Sequence, residues 1–347
     1  MLNNTALCKP APLWYNPCIM DNINYIVFDL EWNQCSTGKA DAVEDFPFEI
    51  IEIGAVKLDA QFHMIGEFHR LICPQVYKQM HRAISEVTHM DMEELRSHGE
   101  NFTTAVQAFL EWCGEGAVYC TWGSMDLTEL QRNLKYYRME NPFPKPLFYY
   151  DVQKLYALFY RDGEKPSLDT AVEELGIAEE RPFHRALDDA YYTGKVLAQM
   201  DAAQIEPYLS IDYYRLPENS REEIYHIFPN YSKYVSRMFA SKEEALKERV
   251  VTEMRCYQCG RALRKKIRWF TPNQKIYYAL AICPEHGYLK GKVRMKKVDD
   301  ERVFVVKTLK LTDVEGAQGI LDRKDDVRRK RVERNRAKKQ RMKGKSK

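Results

Sequence analysis

The side chains of this chain best suited to chemistry stand in three short contexts: Asp29 and Glu31 in FDLE, Asp126 in TWGSMD, and His184 with Asp188 and Asp189 in FHRALDDA. On a β-strand, residues i and i+2 share a face, so Asp29 and Glu31 project together from the end of INYIVFDLE. The apolar run before them assigns that end to a central strand, where open α/β sheets hold their ligands. Asp126 follows the buried-strand sequence AVYCTWG and opens a helix, a position where an acid also serves as a cap. Asp151 is similarly placed and reads as a cap. His184 stands just before a helix, and spacing alone does not choose between Asp188 and Asp189. Four carboxylates and an imidazole have reason to converge when a hard divalent cation balances their charge.

A second constellation lies further along. Cys256 and Cys259 form CYQC, and Cys283 with His286 forms CPEH, with turn formers Gly260, Pro284 and Gly287 beside them. Two such knuckles resemble a zinc ribbon, a closed tetrahedral site for one structural Zn2+. A unit that small would not bury a sufficient core without the metal. Between and after the knuckles, Lys265, Lys266 and Arg268 interleave with Trp269, Phe270, Tyr277 and Tyr278, and KGKVRMKK adds Lys290 and Lys292. Cations and aromatic rings on a small sheet suit phosphate contact with base stacking. No base-reading motif is present, so the expected grip is sequence-tolerant and salt-sensitive.

The remaining elements fit around these groups. INYIVFDL, EIIEIGAVKL and EFHRLICP read as strands, and NFTTAVQAFLEWCG, MDLTELQRNLKYY, SLDTAVEELGI and RALDDAYYTGKVLAQM as helices. LFYYDVQKLYALFY reads as a strand that turns into a helix near Asp151. Strands alternating with helices indicate an α/β domain with a mixed sheet over residues 20–203. Residues 1–19 are expected to be a disordered lead, 204–253 a helical connector, 254–311 the small zinc-ribbon-like β domain, and 312–347 a basic tail whose final segment, 323–347, should be solvated helix or disorder. Residues 1–253 carry 24 Lys/Arg against 40 Asp/Glu, whereas 254–310 carry 15 against 4 and 323–347 carry 14 against 3. An acidic body followed by two basic blocks suggests a catalytic part joined to a polyanion-gripping part. No apolar run has the length of a membrane span, so no membrane partner is expected. The nine cysteines, several inside apolar runs, suit a reducing, cytoplasmic setting.

The order DxE, then an Asp after a Gly-containing strand end, then H-x4-D resembles the DEDDh 3′→5′ exonucleases of the DnaQ-like superfamily, over roughly residues 24–200. EIIEIGAVKLD resembles the second strand of that RNase H-like fold. TWGSMDL and FHRALDDA look most like the branch that trims RNA 3′ ends and the bacterial KapD-type proteins. The resemblance selects Asp189 over Asp188 and implies that Asp29, Glu31, Asp126 and Asp189 hold two Mg2+ or Mn2+ ions, with His184 as general base. It further implies release of nucleoside 5′-monophosphates from a single-stranded 3′ end, RNA preferred, with a ribonucleoprotein as a further partner class. Met125 departs from the pattern, since that branch often has an aromatic there. Two alternatives have different chemistry: a catalytically idle adaptor or regulator on the same fold, and a DNA-directed proofreading-type exonuclease.

Overall fold

A computed structural model describes residues 23–299 and 301–344, with side chains through residue 336; the expected disordered lead lies outside them. The chain divides into two compact units at Tyr214 and Arg215. The first contains β1 (Tyr25–Gln34), β2 (Phe48–Leu58), β3 (Met64–Leu71), α1 (Arg82–Thr88), α2 (Met92–His98), α3 (Phe102–Cys113), β4 (Val118–Thr121), α4 (Met125–Tyr136), β5 (Phe148–Asp151), α5 (Val152–Phe159), α6 (Leu168–Glu174), α7 (Ala186–Ala198), α8 (Ala202–Ile205) and β6 (Ser210–Ile211). Its sheet has the order β3-β2-β1-β4-β5-β6. β1 pairs antiparallel with β2 and parallel with β4, giving the expected mixed sheet flanked by helices.

β1 is central because both of its faces are apolar over Ile26, Val27 and Phe28, each fully buried. Ile26, Phe28 and Leu30 point into a core shared with Phe102, Val106 and Phe109 of α3 and Leu127, Leu130 and Leu134 of α4. Asp29 and Glu31 therefore face the other side of the sheet. On that side α7 packs closely. A Cβ on Gly54 of β2, which pairs with Asp29, would fall 2.0 Å from the backbone nitrogen of Leu187. Further along, a Cβ on Gly194 of α7 would fall 2.9 Å from Val56 Cγ2. Two glycines thus set how near α7 lies to β2. Asn101 caps α3 by accepting the Thr104 N–H, and Asp151 caps α5 by accepting the Lys154 N–H, the role expected for it.

The second unit contains β7 (Ile224–Phe228), β8 (Tyr231–Val235), α9 (Lys242–Lys247), α10 (Arg249–Thr252), β9 (Met254–Arg255), β10 (Ala262–Leu263), β11 (Lys265–Phe270), β12 (Ile276–Cys283), β13 (Gly287–Lys297), β14 (Val303–Thr312) and α11 (Val314–Gly344). The region expected to be a helical connector has short helices at its two ends and, between them, a β-hairpin that joins the second sheet. β7 and β8 form a hairpin closed by Pro229 and Asn230, and β8 pairs with β14 to complete the order β11-β12-β13-β14-β8-β7. The reason is burial: Ile224, Phe228, Tyr234 and Val235 all lie inside. The Cys256–Cys259 knuckle joins β9 and β10, a separate two-stranded sheet, and the Cys283–His286 knuckle joins β12 and β13 of the six-stranded one, which is larger than the small domain expected. From Val314 to Gly344 the tail is helix; its first turns pack, with Ala317, Ile320 and Leu321 against Ile267, Leu280, Phe270, Tyr278 and Tyr288, and the turns that follow, to Arg336, are largely exposed. No described helix is long and apolar enough to cross a membrane.

Candidate active site and metal centres

Three of the sequence-selected acids meet. Carboxylate oxygens of Asp29, Glu31 and Asp189 all lie within 4.8 Å of one another. Asp189 reaches the pair from the first turn of α7, while Asp188 beside it turns to Arg181, at 3.8 Å. The fold thus separates the two aspartates that spacing left open. Asp126, in the first turn of α4, is 4 % exposed and turns Oδ1 towards the Leu30 N–H, at 3.3 Å. It therefore bonds to the backbone between the two acids of β1. His184 is exposed, stands in the left-handed region with φ of 69°, and donates its backbone N–H to Asp189 Oδ1 at 3.2 Å. Its ring is not among the groups that converge within 4.8 Å. Met125, where an aromatic was expected, is 48 % exposed at the start of α4.

The electrostatics of this cluster are adverse. Burial, followed by the charges of Asp126, Glu31 and Asp189, pushes the Asp29 carboxyl well above its usual range. Burial and the charge of Asp189 raise Glu31 to about 8. Asp126 rises to about 7, chiefly through burial, although the Leu30 N–H pulls the other way. Asp189 rises to about 6, again chiefly through burial, with the His184 N–H opposing. Two carboxylates within 4.8 Å repel by about 3 kcal/mol or more at an effective dielectric near 20. Such an arrangement fits a divalent cation, whose charge offsets repulsion and desolvation together.

The profile of the exonuclease family RNase_T matches residues 26–197, a span that holds every acid of the cluster and His184. The N-terminal unit thus carries an exonuclease-type domain. It is 26 % identical over 190 residues to the probable 3′-5′ exonuclease KapD of Bacillus subtilis (strain 168), covering 54 % of this chain and 90 % of that protein. Among solved structures, the nuclease domain of 3′hExo, a DEDDh family member bound to rAMP, aligns with a TM-score of 0.44 at 21 % identity, covering 56 % of this chain and 96 % of that one. The E. coli ExoI–ssDNA complex aligns with a TM-score of 0.42 at 18 % identity, over 51 % of this chain and 40 % of that one.

One acid of the exonuclease domain escaped sequence reasoning. Glu52 of β2, opposite Glu31 in the register and 1 % exposed, accepts from His69 Nε2 at 2.7 Å, Arg185 at 2.9 Å and the Ala186 N–H at 3.1 Å. Burial opposes its charge, but the hydrogen bonds from His69 and Arg185 hold its carboxyl below the usual range. Arg185 offers α7 no side-chain cap of its own, so Glu52 supplies one from the sheet and fixes the helix start that carries Asp189.

The zinc-type ligands also meet. Sγ atoms of Cys256, Cys259 and Cys283 and a ring nitrogen of His286 lie within 4.8 Å of one another. Cys256 Sγ to His286 Nδ1, Cys283 Sγ to His286 Nδ1 and Cys259 Sγ to Cys283 Sγ are each 3.6 Å. A tetrahedron with metal–sulfur bonds near 2.3 Å has edges of about 3.7 Å. The knuckles turn at Gly260 and Gly287, with φ of 69° and 80°.

The six residues selected for nucleic-acid contact divide between two faces. Trp269 is half-buried: its Nε1 donates to Thr252 O at 2.8 Å and its ring lies with Met254 over Gly291, against the core of the sheet. Lys265 and Arg268 border the same side, near Leu246 and Leu263. Lys290 and Lys292 lie on the opposite face with α11, and Lys266 sits 5.6 Å from the Tyr288 ring there.

The raised acids of the exonuclease domain make a definite prediction. Above pH of about 4 the unfolded chain releases protons that these folded carboxyls retain, so stability falls as pH rises. In buffer free of Mg2+ and Mn2+, the urea midpoint of this domain should fall between pH of about 4 and 8, and added Mg2+ should restore it most at the alkaline end. A midpoint that climbs across that window would contradict the assigned electrostatics.

Proposed function

We propose that the chain is a metal-dependent 3′→5′ exonuclease that releases nucleoside 5′-monophosphates from single-stranded nucleic acid, with RNA preferred, and that it works in the cytoplasm. The observation that carries this reading is the convergence of Asp29, Glu31 and Asp189, with Asp126 beside them, on one edge of the central sheet. Asp29, Glu31, Asp126 and Asp189 would hold two Mg2+ or Mn2+ ions. When bound, such ions supply Lewis-acid activation of water and charge stabilisation at the scissile phosphate. The exposed His184 accepts the proton of the attacking water, an exchange suited to an imidazole near neutral pH. The His184 N–H bond to Asp189 ties the base's backbone to an acid of the cluster, so base and acids keep one geometry. Glu52 and Arg185 keep α7 in place while charge changes beside it.

The intact acid set favours an enzyme over an idle adaptor, because a binding protein gains nothing from repelling carboxylates. In the second unit, Cys256, Cys259, Cys283 and His286 would hold one structural Zn2+. The basic sheet and α11 capture substrate and leave the chemistry to the exonuclease domain.

Degradation of 5′-labelled single-stranded RNA and DNA, with Mg2+, Mn2+ or neither, tests the activity. A ladder shortening from the 3′ end only when metal is present is expected, with RNA faster. His184→Ala should lower turnover about 10²–10⁴-fold. Binding without cleavage under every condition would overturn the enzyme in favour of the adaptor.

Metal analysis of the purified chain should find one zinc per molecule, absent from Cys283→Ser. That variant should also unfold at a lower temperature, because binding energy at such a site is folding energy. Equal thermal stability with and without zinc would remove its structural role.

A further inference from the structure

We propose that the α11 face of the C-terminal sheet is a phosphate-binding surface for a single-stranded nucleic acid, built from Lys292, Arg294 and Arg323 around the ring of Tyr278. The choice of ligand rests on the nuclease reading above; the surface itself rests on the geometry of the second unit.

Along β13, Leu289, Gly291, Val293 and Met295 face the Trp269 side of the sheet, so Lys290, Lys292 and Arg294 share the other face. In the register, Lys292 stands opposite Tyr278 of β12 and Thr308 of β14, and Arg294 opposite Ile276 and Val306. From above, α11 lowers Arg323 until its guanidinium carbon is 4.5 Å from the Tyr278 ring centroid. Two elements, β13 and α11, therefore bring cations to a ring carried by a third, β12. Burial and the charges of Arg294, Arg323 and Lys290 hold the Lys292 ammonium below its usual range.

Among the described residues, none of Lys290, Lys292, Arg294 and Arg323 is ion-paired with a carboxylate. Several arginines elsewhere are ion-paired: Arg181 with Glu67, Arg185 with Glu52, Arg237 with Glu223. On this face the sheet presents no acid near Lys292. Asp313, Glu315 and Asp322 line a hollow with Lys290 and Lys310. The unbalanced charge therefore centres on Lys292, Arg294 and Arg323. Crowded like charges are costly, and a polyanion removes that cost.

Spacing and donor chemistry together suit a phosphate polyanion. Same-face residues on a strand repeat every ~6.6 Å, comparable with successive phosphates of an extended nucleic-acid strand. Arg323 lies over an aromatic ring, and its N–H fork suits phosphate oxygens. An extended acidic peptide repeats at a similar spacing but offers planar carboxylates in place of a tetrahedral oxyanion.

The test is fluorescence anisotropy with a 5′-labelled 20-nucleotide oligouridylate, titrated from low to high salt. It uses the full-length chain in an Asp29→Ala background, so that binding is read without cleavage. Each phosphate released from contact lowers the slope of log K against log salt by about 0.7 for single strands. Lys292→Ser with Arg294→Ser should reduce that slope by about 1.4 and weaken binding most at low salt. Adding Arg323→Ser should reduce both further. The charge-conserving pair Lys292→Arg with Arg294→Lys should retain the slope, which separates charge from folding. Lys265→Ser with Arg268→Ser, on the opposite face, should change it less. An unchanged slope in the Lys292/Arg294 pair would overturn the surface. So would a larger loss in the Lys265/Arg268 pair, or binding of a poly-glutamate peptide in place of the oligonucleotide. Failure of the nuclease reading would appear separately, as metal-independent persistence of RNA with the parent chain.

Discussion

The structure depends on holding like charges together where they would rather separate. Asp29, Glu31 and Asp189 lie within a few ångströms at the edge of a dry core, and Asp126 is buried beside them. The protein overcomes this repulsion with structure that is itself apolar or neutral. Ile26, Phe28 and Leu30 anchor β1 from behind. Gly54 lets the backbone of α7 approach the sheet, and Glu52 uses its own charge on Arg185, His69 and a helix N–H. A fifth carboxylate thus stabilises the element that brings Asp189 to the other acids.

The second unit has the complementary problem with the opposite sign. Its sheet half-buries Trp269 and Tyr277 with α9 and α10 on one side and shows cations to α11 on the other. The same reasoning that asks for cations at the acids asks for phosphates at Lys292, Arg294 and Arg323. Under the proposed function, substrate charge and site charge would match in both units: cations held by the acids would offset phosphate charge in one, and the basic face would do so directly in the other.

Much of this was legible in the sequence, for identifiable reasons. FDLE followed an unbroken apolar run, and that fixed both the strand and the shared side of Asp29 and Glu31. The zinc-type knuckles were legible because their ligands are local pairs with turn formers beside them. Asp189 could not be told from Asp188 by spacing, because only the packing of α7 against β2 decides which side chain points inwards. The role of Glu52 depends on partners 17 and 133 residues away, so no local pattern announced it. IYHIFPNYSKYV did carry the alternation and the Pro-Asn turn of a hairpin, but interleaved tyrosines and charges obscured its apolar side. In KKIRWF, register shifts between Lys265 and Ile267 and between Ile267 and Phe270 break the two-residue alternation. For that reason Trp269 lies against the core while Lys266 faces α11.

If the acids hold the two proposed cations, Asp189 is one of the ligands and Asp188 is not. Titration of the full-length chain with Mn2+, followed by the relaxation of water protons, tests it most directly. Binding should weaken at least tenfold in Asp189→Asn and stay near that of the parent chain in Asp188→Asn. Equal losses in the two variants, or no loss in either, would show that the convergence of Asp29, Glu31 and Asp189 is not the site at which this protein holds its metal.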